Sequence, residues 1–140
     1  MSPASRQVGL IFMDTGALYA LADRRDPAHD RAKEFHAEAG RPYLLTDFVF
    51  AETMSLLTKR VGKKPAVAFG AGVRASARFR IEEPSADVRE AAWKEFSGRI
   101  DKDHDLIDCL SFAMMEAYGL KDVFGFDRHF AQRGFRLVPA

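Results

Sequence analysis

A single cysteine, Cys109, stands among 140 residues, which excludes an internal disulfide and any zinc site built on several thiolates. Charge of one sign is equally scarce: 21 Lys and Arg nearly balance 20 Asp and Glu, leaving +1. That balance excludes a uniformly basic coat, so any binding of polyanions must come from local asymmetry. No apolar run approaches the roughly 18 residues of a membrane helix. The segment from Met1 to Gly9 lacks the long apolar stretch of a secretory signal, so a soluble cytoplasmic protein is the expectation. Repeats, low-complexity tracts, linkers and a GxSxG nucleophile motif are all missing. What is present is apolar bulk: 47% hydrophobic residues including 12 Phe, enough for one sizeable core. A single domain over 1–140 is expected, with a flexible tail over about 1–8.

Short apolar runs alternate with longer helical patterns. Residues 8–13 read as a buried strand, because the run is too brief for a helix. A helical turn or two follows over 17–22. Asp26-Pro27 predicts a helix start, with Asp as N-cap and Pro first in the helix, and Gly40 predicts its stop. Residues 43–46 make a second strand, after which Asp47 is placed to cap a helix over 48–61 that Gly62 ends. Helices are further predicted over 63–78, from Ser85 through Phe96, over 105–118 with Gly119 closing it, and over 128–133. Strands are predicted over 78–81, 123–126 and 135–138. Strands separated by helices argue for an α/β domain with a mainly parallel central sheet. In such sheets ligands bind beyond the carboxyl ends of the strands.

Four acids have neighbours that water does not explain. Asp14 ends the strand over 8–13, and Asp127 ends the strand over 123–126. Glu52 is the only charged residue between Phe48 and Thr58. Asp108 lies among Leu106, Ile107, Cys109, Leu110, Phe112, Met114 and Met115, which cover nearly the whole helix circumference. A helix apolar all round is buried, so Asp108 enters the interior, with Asp105 three residues earlier on the same face. Each acid has an ordinary explanation when taken singly. Asp14 and Asp127 would cap helices, Asp105 would serve as an N-cap or first-turn acid, and Glu52 would pair with a buried arginine. Asp108 has the fewest such readings, since its helix offers no basic partner at the next turn. Taken together, these explanations require four independent accidents.

Magnitude favours a common cause. Two carboxylates about 5 Å apart repel by about 3 kcal/mol at an effective dielectric of about 20, so converging acids need protons or a cation between them. Carboxylate oxygens without His or Cys suit a hard ion, Mg²⁺ or Mn²⁺. Such an ion lowers the pKa of bound water and neutralises charge on a phosphate.

At these residues the sequence resembles the PIN-domain family, most closely its VapC-type toxins. The matching stretches are Phe12-Met13-Asp14-Thr15, the run TDFVFAE from Thr46 to Glu52, and DLIDCLSFAMMEAYGLKDVFGFDRHF from Asp105 to Phe130. The resemblance implies a three-layer α/β/α sandwich acting as a Mg²⁺-dependent endoribonuclease, with Mn²⁺ able to substitute. It assigns Asp14, Glu52, Asp108 and Asp127 as the metal-ligand and catalytic acids, and Thr15 as a hydroxyl beside the first. Asp105 departs from the family, where Ser or Thr often stands, which makes it an outer carboxylate of open role. The family further implies a homodimer and, for toxins, a cognate antitoxin that occupies the cleft.

Charge distribution points to a polyanion on separate grounds. Between Thr53 and Ile81 there is no acid but there are seven bases, Lys59, Arg60, Lys63, Lys64, Arg74, Arg78 and Arg80. Lys59, Arg60, Lys63 and Lys64, with Arg128 beside the fourth acid, are the candidate contacts to an RNA backbone; a merely solvated helix face is the competing explanation. Other motifs carry less. Gly70-Ala71-Gly72-Val73-Arg74-Ala75 matches GxGxxA but leaves too little chain before the next strand for a dinucleotide crossover. Asp14-Thr15-Gly16 lacks the second acid of haloacid-dehalogenase phosphatases. His29 with His36 read as surface histidines; His104 and His129, beside Asp105 and Asp127, read as surface histidines too, with contact to substrate as the alternative. Phe12, Phe50, Phe112 and Phe126 read as core rather than base-stacking platforms. A metal-dependent phosphatase or DNase, and a PIN-like module that binds RNA or protein without cutting, remain the alternatives.

Overall fold

The computed structural model describes residues 9–140, so the tail expected over 1–8 lies outside the described residues. Five strands alternate with seven helices among them: β1 (Ile11–Met13), α1 (Thr15–Ala22), α2 (His29–Ala39), β2 (Tyr43–Thr46), α3 (Asp47–Arg60), α4 (Lys63–Ala75), β3 (Phe79–Glu82), α5 (Ala86–Gly98), α6 (Leu106–Tyr118), β4 (Asp122–Phe124), α7 (Arg128–Gln132) and β5 (Arg136–Val138). The strands form one sheet in the order β3-β2-β1-β4-β5, every pair parallel. Phe12 sits in register with Leu44 on one side and Val123 on the other.

Because successive strand residues face opposite ways, the sheet feeds two cores. Ile11, Met13, Tyr43, Leu45 and Phe124 pack with Leu18, Val49 and Val73 on one face. Phe12, Leu44 and Val123 pack with Phe112, Met114, Met115 and Phe130 on the other. Helices thus cover both faces, giving the expected three-layer α/β/α sandwich, and doubly covered strands explain why the apolar runs are continuous rather than alternating. Phe12 and Phe112 are fully buried and Phe50 and Phe126 half-buried, all packed in these cores.

Several boundaries differ from expectation, each for a local reason. Asp26 does not cap α2; its Oδ1 accepts from the Ala28 N–H at 2.9 Å, closing a turn, and the helix starts at His29 with Ala28 at the N-cap. Thr46, not Asp47, caps α3, its Oγ1 accepting from the Val49 N–H at 3.0 Å. Asp47 instead lies in the first turn, where the helix dipole favours an acid. Gly62, at φ 135°, ends α3 as expected, its N–H donating to Leu57 O at 2.9 Å, and also stands at the N-cap of α4. Gly70 allows α4 to lie close to α3, since a Cβ there would come 2.6 Å from Met54 Sδ, so the GxGxxA match reflects helix packing. Strand β4 stops at Phe124, leaving Asp127 three residues beyond it.

Candidate metal centre

The sheet order reverses between β1 and β4, the crevice where α/β sheets bind ligands. Asp14 follows β1 directly at this point. It occupies the N-cap position of α1, yet its side chain makes no capping bond, so capping does not explain it. It is only 7% exposed. Burial pushes its carboxyl up to about 7, against the Thr15 backbone hydrogen bond and with the charges of Asp108, Asp127 and Glu52 adding to the rise. Gly125 makes room for it, because a Cβ on that residue would stand 3.2 Å from Asp14 Cβ.

Thr15, the next residue, donates its hydroxyl to Glu52 Oε1 at 2.6 Å and so ties α1 to α3. Glu52 is half-buried and, among the described residues, pairs with no arginine. That removes the buried ion pair as its explanation.

Asp105 and Asp108 form a reciprocal cap at the start of α6. Asp105 Oδ1 accepts from the Asp108 N–H at 2.8 Å, and Asp108 Oδ2 accepts from the Asp105 N–H at 3.3 Å. The cap gives Asp105 a structural role and fixes the Asp108 carboxylate. Burial, then the nearby Asp105 charge, pushes Asp108 up to about 6; the Asp127 charge adds, while the Asp105 backbone and His129 oppose. Asp127 caps α7, its Oδ1 accepting from the His129 N–H at 2.9 Å. Capping and facing Asp108 prove compatible.

His129 departs from its reading as a surface residue. One ligand atom each from Asp108, Asp127 and His129 all lie within 4.8 Å of one another. The His104 ring meets His129 edge-on at 4.9 Å and Phe112 at 5.1 Å. The spacing Asp127-x-His129 was the one trace of this in the sequence; the contact with Asp108 comes from the fold. The four acids therefore converge unequally. Asp14 is deepest and within the field of the other three, Asp108 and Asp127 share a ligand-sized cluster with His129, and Glu52 joins through Thr15. Among the described residues no Lys or Arg pairs with any of them. Carboxylates that are desolvated, mutually repelling and without a basic partner fit a divalent cation.

The basic segment is less uniform than its sequence. Lys59 and Lys63 line a groove of about 370 Å³ with Met54, Ser55, Thr58, Ala66 and Val67, and Lys64 is exposed nearby in sequence. Lys59 is two helical turns, about 10 Å, beyond Glu52 on the same side of α3. Arg60 lies over the Tyr19 ring at 5.1 Å, Arg78 over Tyr43 at 4.9 Å, and Arg80 pairs with Glu82. Arg78 precedes β3 and so belongs to the opposite edge of the sheet. Arg128 is exposed beside Asp127. His29 and His36 stay separate, bonding Ala20 O and the Tyr43 hydroxyl respectively.

Comparison with known proteins gives the family. The PIN domain matches residues 11–136. Two curated relatives from strains of Mycobacterium tuberculosis, both named 23S rRNA-specific endonuclease VapC20, are 33% identical over 126 residues, spanning 90% of this chain and 95% of theirs. The crystal structure of Mycobacterium tuberculosis VapC20, described as a sarcin–ricin loop cleaving toxin, superposes with a TM-score of 0.83, covering 89% of this chain and 95% of that one.

Proposed function

The chain belongs to the PIN-domain family, and from that premise we propose that it is a divalent-metal-dependent endoribonuclease, the toxin of a toxin–antitoxin pair. The observation that carries this reading is the convergence of four acids at the switch point of a parallel sheet, two of them pushed to about 7 and 6 and, among the described residues, none paired with a Lys or Arg. Its substrate is RNA, and the relatives' names favour a structured ribosomal stem-loop. A ribosomal substrate places the protein in the cytoplasm. A homodimer and a cognate antitoxin complete the proposal, since both accompany the VapC type.

In this reading Asp14 and Asp108 hold Mg²⁺ or Mn²⁺ directly, and Glu52 and Asp127 hold a second ion or the waters around the first. Bound there, the ion supplies a water of lowered pKa and offsets the charge that develops on the phosphate and the leaving 3′-oxygen. The protein's own work is preorganisation. Thr15 aims the Glu52 carboxylate, Asp105 fixes Asp108 through the N-terminal cap, and Gly125 leaves space for Asp14. A cation held there would favour the ionised form of Asp14, because opposite charge stabilises the carboxylate. Lys59, Lys63, Lys64 and Arg128 receive the RNA backbone.

Purified protein with Mn²⁺, offered single-stranded RNA, a sarcin–ricin-type stem-loop, DNA and a phosphomonoester, is expected to cut RNA alone. Asp14→Asn and Asp108→Asn should each abolish cutting, by at least about 10²-fold, with circular dichroism unchanged. Cleavage retained in both variants would overturn the assignment. Cleavage of DNA or of the monoester in preference to RNA would move the protein to another phosphoesterase class.

A further inference from the structure

The acid set alone does not account for the position of His129. Its Nδ1 lies 3.4 Å from Asp108 Oδ2 and 3.5 Å from Asp127 Oδ1. Both separations are long for a charge-assisted N–H···O bond, normally about 2.7–2.9 Å. They match the spacing of two atoms on one ion, because ligands bonded at about 2.1 Å stand about 3.0–3.5 Å apart. One Nδ1 also faces both carboxylates at nearly equal distance, which a single hydrogen bond does not require.

Packing holds the ring there. The His129 backbone N–H is committed to Asp127 Oδ1 at 2.9 Å, which fixes the start of the side chain. The His104 ring abuts the His129 ring at 4.9 Å, and Phe112, fully buried, backs His104 at 5.1 Å. Only about a quarter of the His129 side chain meets solvent.

We propose that His129 supplies a nitrogen ligand beside Asp108 and Asp127, so that this centre takes Mn²⁺ and neighbouring transition-metal ions in preference to Mg²⁺. The proposal rests on the reading of the acids as metal ligands and extends it. Imidazole nitrogen suits first-row transition ions, whereas Mg²⁺ favours oxygen donors and retained waters. The consequence is selectivity as well as affinity.

Pulsed electron paramagnetic resonance of Mn²⁺ on the purified full chain reads the ligand directly, and calorimetry reads the selectivity. The wild-type spectrum should carry ¹⁴N modulation, which His129→Ala and His129→Gln both lose. Mn²⁺ affinity should fall by at least about tenfold in His129→Ala, while Mg²⁺ affinity changes much less. The glutamine variant keeps the bulk and offers an oxygen, so it guards against a folding defect. Wild-type Mn²⁺ bound without ¹⁴N modulation, modulation that survives in both variants, or equal losses for the two ions would each overturn the role of His129 and leave the acid site intact. Failure of wild-type protein to bind Mn²⁺, or binding unchanged in Asp108→Asn, would overturn the metal reading itself.

Discussion

Asp14 makes the metal-free protein behave against the usual rule for a paired aspartate. Its carboxyl is held at about 7 in the fold, chiefly by burial, and has an ordinary value of 3.8. Below pH 4 the group is protonated in both folded and unfolded chains and contributes nothing. As pH rises, the unfolded chain releases the proton first and the native state still binds it, so stability falls until about pH 7 and then levels off. The full penalty reaches up to ~4 kcal/mol, three pKa units at about 1.4 each. Asp108, raised to about 6, adds to the same trend. Asp14→Asn should therefore melt higher than wild type at pH 8 in EDTA and equal it near pH 4. Excess Mn²⁺ should raise the wild-type melting temperature and leave the variant nearly unmoved, because a ligand stabilises only the state it binds. A variant less stable than wild type at pH 8 in EDTA would show that Asp14 is compensated by a cation of the protein after all.

Among the elements, α6 joins stability to chemistry through its first turn. Asp105 and Asp108 satisfy each other's backbone N–H, so losing the Asp105 side chain exposes one donor and loosens the other carboxylate. Asp105→Ala is expected to cost ~1 kcal/mol in urea unfolding, whereas Asp105→Asn, which caps equally well, should stay within ~0.5 kcal/mol of wild type. Equal losses in both would assign the effect to the Asp105 charge rather than the cap. Element ends of this kind were partly legible in the sequence. Ser85 caps α5, and Gly40 and Gly119 turn left-handed at φ 61° and 66° to close α2 and α6, because one residue's own chemistry decides the matter there. Asp26-Pro27 and Asp47 misled because Asp26 closes a turn onto the Ala28 N–H before the helix begins, and Thr46 takes the Val49 N–H one residue ahead of Asp47. Asp14, Glu52, Asp108 and Asp127 stood out as charges in apolar runs. His129 did not, since the His104 ring that abuts it comes from the loop before α6, and Phe112 of α6 backs that ring.

Across the whole molecule the two edges of the sheet treat charge in opposite ways. At the N-terminal edge Asp122, before the centre of β4, is shared by Arg41 at 3.2 Å and Arg136 at 2.8 Å, and Arg78 bonds Arg41 O while stacking on Tyr43. At the C-terminal edge the acids have, among the described residues, no Lys or Arg partner, and the exposed lysines of α3 and α4 lie on the hairpin of helices that carries Glu52. Bases neutralised at one edge are structural; bases left free beside the acids are available to phosphate. The salt dependence of RNA binding separates the two populations. Each phosphate contact to a single strand contributes a slope of about 0.7 in log K against log salt. Lys63→Glu with Lys64→Glu should flatten that slope by about one contact or more, read by fluorescence anisotropy in EDTA across a salt series. Arg78→Gln should leave the slope as it is while lowering the melting temperature, because its guanidinium serves Tyr43 and Arg41 and never reaches the substrate. A slope unchanged by the lysine pair would make those residues a solvated face and move the RNA path toward Arg128 on the other side of the crevice.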